Sequence, residues 1–120
     1  IGAVDFISIY AADFDLLDEN LHGYCNYRFS EYPARKRLVS SAIKALLLDG
    51  NIRFQMAPTG YKYSITEAGK SICKKLTSNY ADEYRIAVQT VIKSFDNANA
   101  ELMLREINRL TIQSLEGGQA

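Results

Sequence analysis

Apolar residues crowd the start of the chain. Val4, Phe6, Ile7, Ile9 and Tyr10 fall within the first ten positions and predict a helix, with a strand as the alternative reading. Asp13 to Asn20 is short and acidic, with Leu16 and Leu17 directed toward something dry. Gly23 to Tyr32 follows no period and carries the aromatics Tyr24, Tyr27, Phe29 and Tyr32. Ser30-Glu31-Tyr32-Pro33 then signals a helix start, because Ser30 can cap and Pro33 suits a first turn. Leu38, Ala42, Ala45 and Leu46 recur at helical spacing, and Val39 and Ile43 widen the stripe. The predicted helix over 34–49 ends at Asp49-Gly50, since glycine readily takes the left-handed conformation of a helix stop.

The period then changes. Ile52, Phe54 and Met56 alternate with polar neighbours, as do Tyr61, Tyr63 and Ile65. Ala57-Pro58-Thr59-Gly60 between them has turn composition, so the segment predicts a β-hairpin. Thr66 caps a helix running through Ile72 to about Leu76, and Ser78 caps the next. Tyr80, Tyr84, Val88, Val91, Ile92 and Phe95 form one continuous stripe, broken at Asp96-Asn97. A last amphipathic segment holds Leu102, Met103, Leu104, Ile107 and Leu110.

A helix ending in Asp-Gly and followed at once by a short hairpin is the second half of a winged helix, with the hairpin as wing and helix 34–49 in the recognition position. The expected fold class is mainly α (α+β): a winged-helix-like domain with a two-stranded β-hairpin wing and additional C-terminal helices. A lone hairpin is marginal in water, so Leu38, Leu46, Ile52 and Ile65 are expected to cover its apolar side. The expected organisation is a core over 1–77, a helical extension of the same domain over 78–115, and a disordered tail over 116–120.

Composition narrows the function classes. With 120 residues, 48% of them hydrophobic, the chain suits one soluble domain. Its longest apolar cluster, Ala45 to Leu48, is far below the roughly eighteen residues of a membrane span. The apolar start lacks the basic flank and cleavage site of a signal peptide, and Ile1 in place of Met suggests that residues precede it. Cys25 and Cys73 have no zinc-like spacing and read as reduced cytosolic thiols, so a cytoplasmic location is expected.

Net charge is zero but uneven: residues 1–27 hold five acids and no Lys or Arg, leaving the rest at a net of +5. This reads either as a solvated acidic surface or as two faces for two partners.

The chemical signals are sparse. His22 is the single histidine, and no set of metal-ligand spacing surrounds it. Asp13, Asp15, Asp18 and Glu19 lack the glycine and distal Glu of a calcium loop. No phosphate-binding glycine loop or nucleophile elbow occurs, so neither an enzyme, a cofactor, a metal nor a small-molecule ligand is expected. Arg35, Lys36, Arg37 and Lys44 on the recognition helix, with Arg53 and Lys62 on the wing, are either a solvated face or candidate nucleic-acid contacts. Residues 31–49 carry only +2, so any DNA contact is expected to be weak, salt-sensitive and dependent on a larger complex. A stand-alone winged-helix transcriptional regulator is the alternative reading. Tyr24, Tyr27, Phe29, Tyr32, Tyr61 and Tyr63 serve either packing or an interface.

Several segments stand in a specific order. Tyr10-Ala11-Ala12-Asp13-Phe14 precedes Leu21-His22-Gly23; Glu31 and Arg35 open a helix that ends Leu46-Leu47-Leu48-Asp49-Gly50. Gly60-Tyr61-Lys62-Tyr63-Ser64-Ile65-Thr66 leads to Gly69, and Ser78-Asn79-Tyr80-Ala81 begins a helix ending at Phe95. The series resembles the middle components of ABC-three-component systems, including the small C subunit of Lamassu anti-phage defence. It departs from that pattern in having Thr90 where the family often has Trp, and in the short Asp15 to Asn20 in place of a Gly-Pro-rich segment.

The resemblance implies a non-catalytic bacterial adaptor that joins an SMC/Rad50-like ATPase to an effector nuclease and helps hold the effector inactive until foreign DNA is sensed. Asp13, Phe14, His22, Tyr80, Tyr84, Leu104 and Ile107 are the candidate partner-facing residues.

Overall fold

The apolar opening segment folds as helix α1 (Gly2–Ile9), the centre of the protein in a computed structural model that describes residues 1–58 and 60–117. Ala3, Asp5, Phe6, Ile7, Ser8 and Ile9 are all buried, which requires partners around the whole helix. Two of these partners come from the far end of the sequence. Helix α4 will be Asn79–Ser94 and helix α5 Ala100–Gly117, and both pack on α1. From α4 come Ala87 and Val91; from α5 come Met103 and Ile107, each at most 2% exposed. Ser78 caps α4 by accepting from the Ala81 amide at 3.1 Å, as expected from the sequence. The break between the helices is made by left-handed backbone at Asp96, Asn97 and Ala98. The core is Ala3, Phe6, Ile7, Ile9, Tyr10, Phe14, Phe29, Val91, Met103 and Ile107, and so draws on both sides of residue 77.

Between α1 and the second helix the chain is short and irregular, with 3-10 turns at Ala11–Phe14 and Arg28–Glu31 that send Phe14 and Phe29 inward. Phe6 meets Tyr10 and Tyr32 edge-on at 5.2 Å, and Phe29 at 6.2 Å.

Helix α2 (Tyr32–Leu48) follows, with Pro33 in its first turn. Ser30 does not cap it: its hydroxyl donates to the Tyr27 carbonyl, and the flanking Glu31 makes no side-chain cap. No residue of α2 is fully buried. Tyr32, Arg35, Val39, Ile43 and Leu47 are half-buried and form its inward side. The expected stripe of Leu38, Ala42, Ala45 and Leu46 is exposed, Leu38 at 58%. The inward side is rotated from that stripe by about 100°, one residue's step, because Tyr32 and Arg35 must face α1.

Gly50, with φ of 73°, ends α2, and strands β1 (Ile52–Ala57) and β2 (Gly60–Ile65) form the expected antiparallel hairpin. The register pairs Ile52 with Ile65, Phe54 with Tyr63 and Met56 with Tyr61, so all six share one face. Arg53, Gln55, Lys62 and Ser64 take the other. Leu38, Leu46, Ile52 and Ile65 do not cover the apolar face: Phe54 is 44%, Met56 80%, Tyr61 73% and Ile65 45% exposed. Thr59, part of the turn expected from the sequence, lies outside the described residues.

Helix α3 (Glu67–Lys75) begins at Thr66, whose hydroxyl accepts from the Gly69 amide at 3.1 Å and donates to the Gly50 carbonyl at 2.7 Å. The junction is tight at Gly69, where a Cβ would collide with the Asn51 carbonyl oxygen and sit 2.8 Å from Ile65 Cγ1. Gly69→Ala is therefore expected to cost about 1–3 kcal/mol, read as a lower urea midpoint.

The result is a mainly α, winged-helix-like α+β fold of five helices and one hairpin among the described residues. The expected disordered tail lies, from residue 118 onward, outside those residues; Gly117 ends α5.

Candidate functional site

Charge and burial meet first at Asp5. This carboxylate, 4% exposed in the middle of an apolar helix, would be costly alone. Arg35 of α2 donates to it through Nε at 2.6 Å and Nη2 at 3.1 Å, and the Tyr84 hydroxyl of α4 donates at 2.7 Å. Three helices are thus tied at one point. Tyr84 stacks on Tyr80 with ring centres 6.1 Å apart, and the Tyr80 hydroxyl shares a 2.7 Å hydrogen bond with His22 Nε2. Beside them the Tyr10 hydroxyl donates to Glu31 at 2.9 Å. Burial, together with Glu31, pushes the Tyr10 hydroxyl up to about 12. Burial and Asp5 push that of Tyr84 up as well.

Burial, then the nearby Arg35 charge, hold His22 below its ordinary value, so the ring is neutral at pH 7. The unfolded chain takes up that proton more readily than the folded one. Stability is therefore expected to fall as pH drops below about 6.5 toward the folded value. Urea midpoints at pH 7.5 and pH 5 should differ less in His22→Gln than in the unaltered protein.

A second network closes the acidic loop. Arg28 forks onto Asp13 at 2.6 and 2.9 Å. The buried Asn20 donates to Asp13 Oδ2 and the Gly23 carbonyl, while its Oδ1 accepts from the Ala12 and Asp13 amides. Asp13 is thereby engaged within the chain. Its neighbours Asp15, Asp18 and Glu19 form no metal-holding group with it among the described residues.

The candidate partner-facing residues divide by burial. Phe14, at 8%, and Ile107, at 1%, are core residues and can meet a partner only if the core opens. Tyr80 and Leu104 are exposed, at 47% and 40%. Leu104 lies within about 80° of arc of Ile112 and Leu115 on the outer side of α5, both also exposed. Tyr84 is half-buried in the cluster around Asp5, and His22 is exposed at its edge.

The candidate nucleic-acid contacts divide as well. Arg35 is held by Asp5, and the Lys36 stem lies over Gly2, its Cγ 3.2 Å from where a Cβ there would be. Arg37 and Lys44 are exposed and two turns apart on one side of α2; Arg53 and Lys62 share the polar face of the hairpin. Leu38 and Leu48, 58% and 89% exposed, lie along the same helix.

Residues 31–77 hold nine Lys and Arg against three Asp and Glu, a net of +6, leaving −6 for the remainder. No core residue comes from 31–77, yet that stretch exposes Leu38, Leu46, Leu48, Phe54, Met56, Tyr61, Tyr63, Ile65, Ile72 and Leu76. Positive charge and apolar exposure thus coincide in this stretch, while nine further large apolar side chains are exposed elsewhere among the described residues.

Asp5 and the open hairpin face escaped the sequence reading. A lone acid inside an apolar helix signals a buried ion pair. The hairpin's alternation was legible, but its cover was assigned to Leu38, Leu46, Ile52 and Ile65; the first two are exposed on α2, and the last two belong to the face to be covered.

A shallow open depression of about 400 Å³ lies where α3 meets α4, lined by Cys73, Lys74, Leu76, Thr77, Asp82 and Arg85. Arg85 there donates to the Cys73 and Leu76 carbonyls, holding the end of α3. Cys25 and Cys73 are unpaired and exposed. No described helix is long and apolar enough to cross a membrane.

Fold and surface together define a small winged-helix-like protein whose dominant exposed feature is an apolar face on a basic half. The chain belongs to the family of ABC-three-component system middle component 2, whose model matches residues 1–117. It is thus a middle component of a multi-protein system, and its partners are proteins. Neither a curated protein nor a solved structure matches it.

Proposed function

We propose that this middle component is the non-catalytic, cytoplasmic adaptor of a Lamassu-type anti-phage defence complex, linking an SMC/Rad50-like ATPase to an effector nuclease and helping to restrain it. The carrying observation is that residues 31–77, with a net charge of +6, contribute nothing to the buried core yet expose ten large apolar side chains. Exposed patches of this extent mark protein interfaces in soluble proteins. The outer side of α5, with Leu104, Ile112 and Leu115, gives a second apolar strip, so two partners have two places to bind. The polar clusters fit the same reading: Asp5, Arg35 and Tyr84 fasten helices together, and His22 bonds to a tyrosine.

The test is co-expression with the two neighbouring genes. Recovery of an ATPase and an effector with the chain, and faster DNA cleavage by the effector when the chain is left out, are expected. If neither protein co-purifies, the adaptor reading fails.

A further inference from the structure

The hairpin lacks a layer. A two-stranded sheet is marginal in water unless something covers its apolar face. Here Phe54 packs on Tyr61 at 5.2 Å and on Tyr63 at 5.6 Å, forming an aromatic platform with Met56 at its outer end. Nothing described lies over it: Phe54, Met56, Tyr61 and Tyr63 are between 39% and 80% exposed. Helix α3 starts directly after β2 but leaves Ile72 and Leu76 exposed as well.

The amount of surface matches a missing partner. The chain exposes 8355 Å², against roughly 6,500 Å² for a compact protein of its mass. Its radius of gyration is 15.5 Å, against about 13.6 Å expected for its length. The surplus, on the order of 1,000–2,000 Å², is at least one side of a stable interface.

Shape and charge define the occupant. Strands of six residues give a platform about 20 Å long, the span of three to four turns of a helix. The half that carries it has a net charge of +6. A second copy would bring another +6 against it, which disfavours face-to-face self-pairing. Duplex DNA would match the charge, but its interfaces are polar and make little use of exposed Met, Leu and Phe.

We propose that the apolar hairpin face, from Ile52 to Ile65, receives an amphipathic helix of a partner protein whose apolar stripe is flanked by Asp and Glu. This rests on the adaptor reading and names the surface and the chemistry of the segment bound there.

The experiment uses the full chain alone and in the co-expressed complex, comparing amide hydrogen exchange. Amides of β1, β2 and the second half of α2 are expected to exchange about ten-fold more slowly or better in the complex. A photo-cross-linker placed at Met56, on the apolar face, should capture an acid-rich helix of the partner, and binding should weaken with added salt. The double variant Phe54→Ser, Tyr61→Ser should lose the partner while keeping its helical circular dichroism and its urea midpoint. Should that variant misfold, Met56→Asp, at a position 80% exposed on the apolar face, is the second arm, expected to weaken binding about ten-fold at low salt.

A complex that forms with protection confined to α4 and α5, or with a base-rich segment captured at Met56, overturns this proposal and leaves the adaptor reading intact. So does hairpin protection by a second copy, seen as a dimer mass in sedimentation, or by added duplex DNA alone. Absence of any complex overturns the adaptor reading and this proposal with it.

Discussion

Phe6→Ala should destabilise the protein by about 3–5 kcal/mol and lower Tm by on the order of 10–20 °C. Phe6 is fully buried in the core cluster to which α1, α4 and α5 contribute. Its ring touches Tyr10, Phe29 and Tyr32, so the substitution removes three edge-to-face contacts along with the buried area. The cavity would be slow to collapse, because α1 is fixed by helices on more than one side and cannot move toward one without leaving another. Thermal unfolding followed by circular dichroism reads the effect. A loss below about 1 kcal/mol would mean that α1 is not the centre of the core.

Asp5→Ala should cost nearly as much, about 3 kcal/mol, for a different reason. It removes few contacts but leaves the Arg35 guanidinium and the Tyr84 hydroxyl without their acceptor at a three-helix junction. Arg35 keeps about a quarter of its side chain in water, which places the loss at the low end of the range for broken buried pairs. Tyr84→Phe should cost only about 1 kcal/mol, since Asp5 stays paired with Arg35. In the double variant Asp5→Ala, Tyr84→Phe the two losses should sum to less than their separate values, because both report on one acceptor. Urea unfolding of the three variants decides this; strict additivity would mean that the hydroxyl does not bind the carboxylate.

Much of the local structure was legible in the sequence because local signals fix it. Ser78 and Thr66 accept the amide bonds that start α4 and α3, Gly50 takes the positive φ that stops α2, and the period-two alternation of 52–65 sets the hairpin register. Each feature needs only its neighbours along the chain. The side of α2 that turns inward was not legible. Leu38, Ala42, Ala45 and Leu46 form the better apolar stripe, but Arg35 and Tyr32 have to reach Asp5 and Phe6, and that requirement lies about thirty residues away in sequence. Ser30 failed as a cap for a similar reason: the preceding 3-10 turn offered its hydroxyl a nearer carbonyl at Tyr27.

The candidate site divided along the same line. Helical period put Tyr80 in one stripe with Val91 and Leu104 in one segment with Ile107; contacts with distant elements bury Phe14, Val91 and Ile107 and leave Tyr80 and Leu104 exposed. By itself, then, the sequence determined the elements, the caps of α3 and α4 and the polarity of each hairpin face, because propensity and periodicity act over a few residues. The tertiary structure decided which apolar faces are used up. The aliphatic residues of α1, α4 and α5 meet one another and close a core, while Leu38, Leu46 and Leu48 of α2 and the apolar side chains from Phe54 to Ile65 of the hairpin remain exposed.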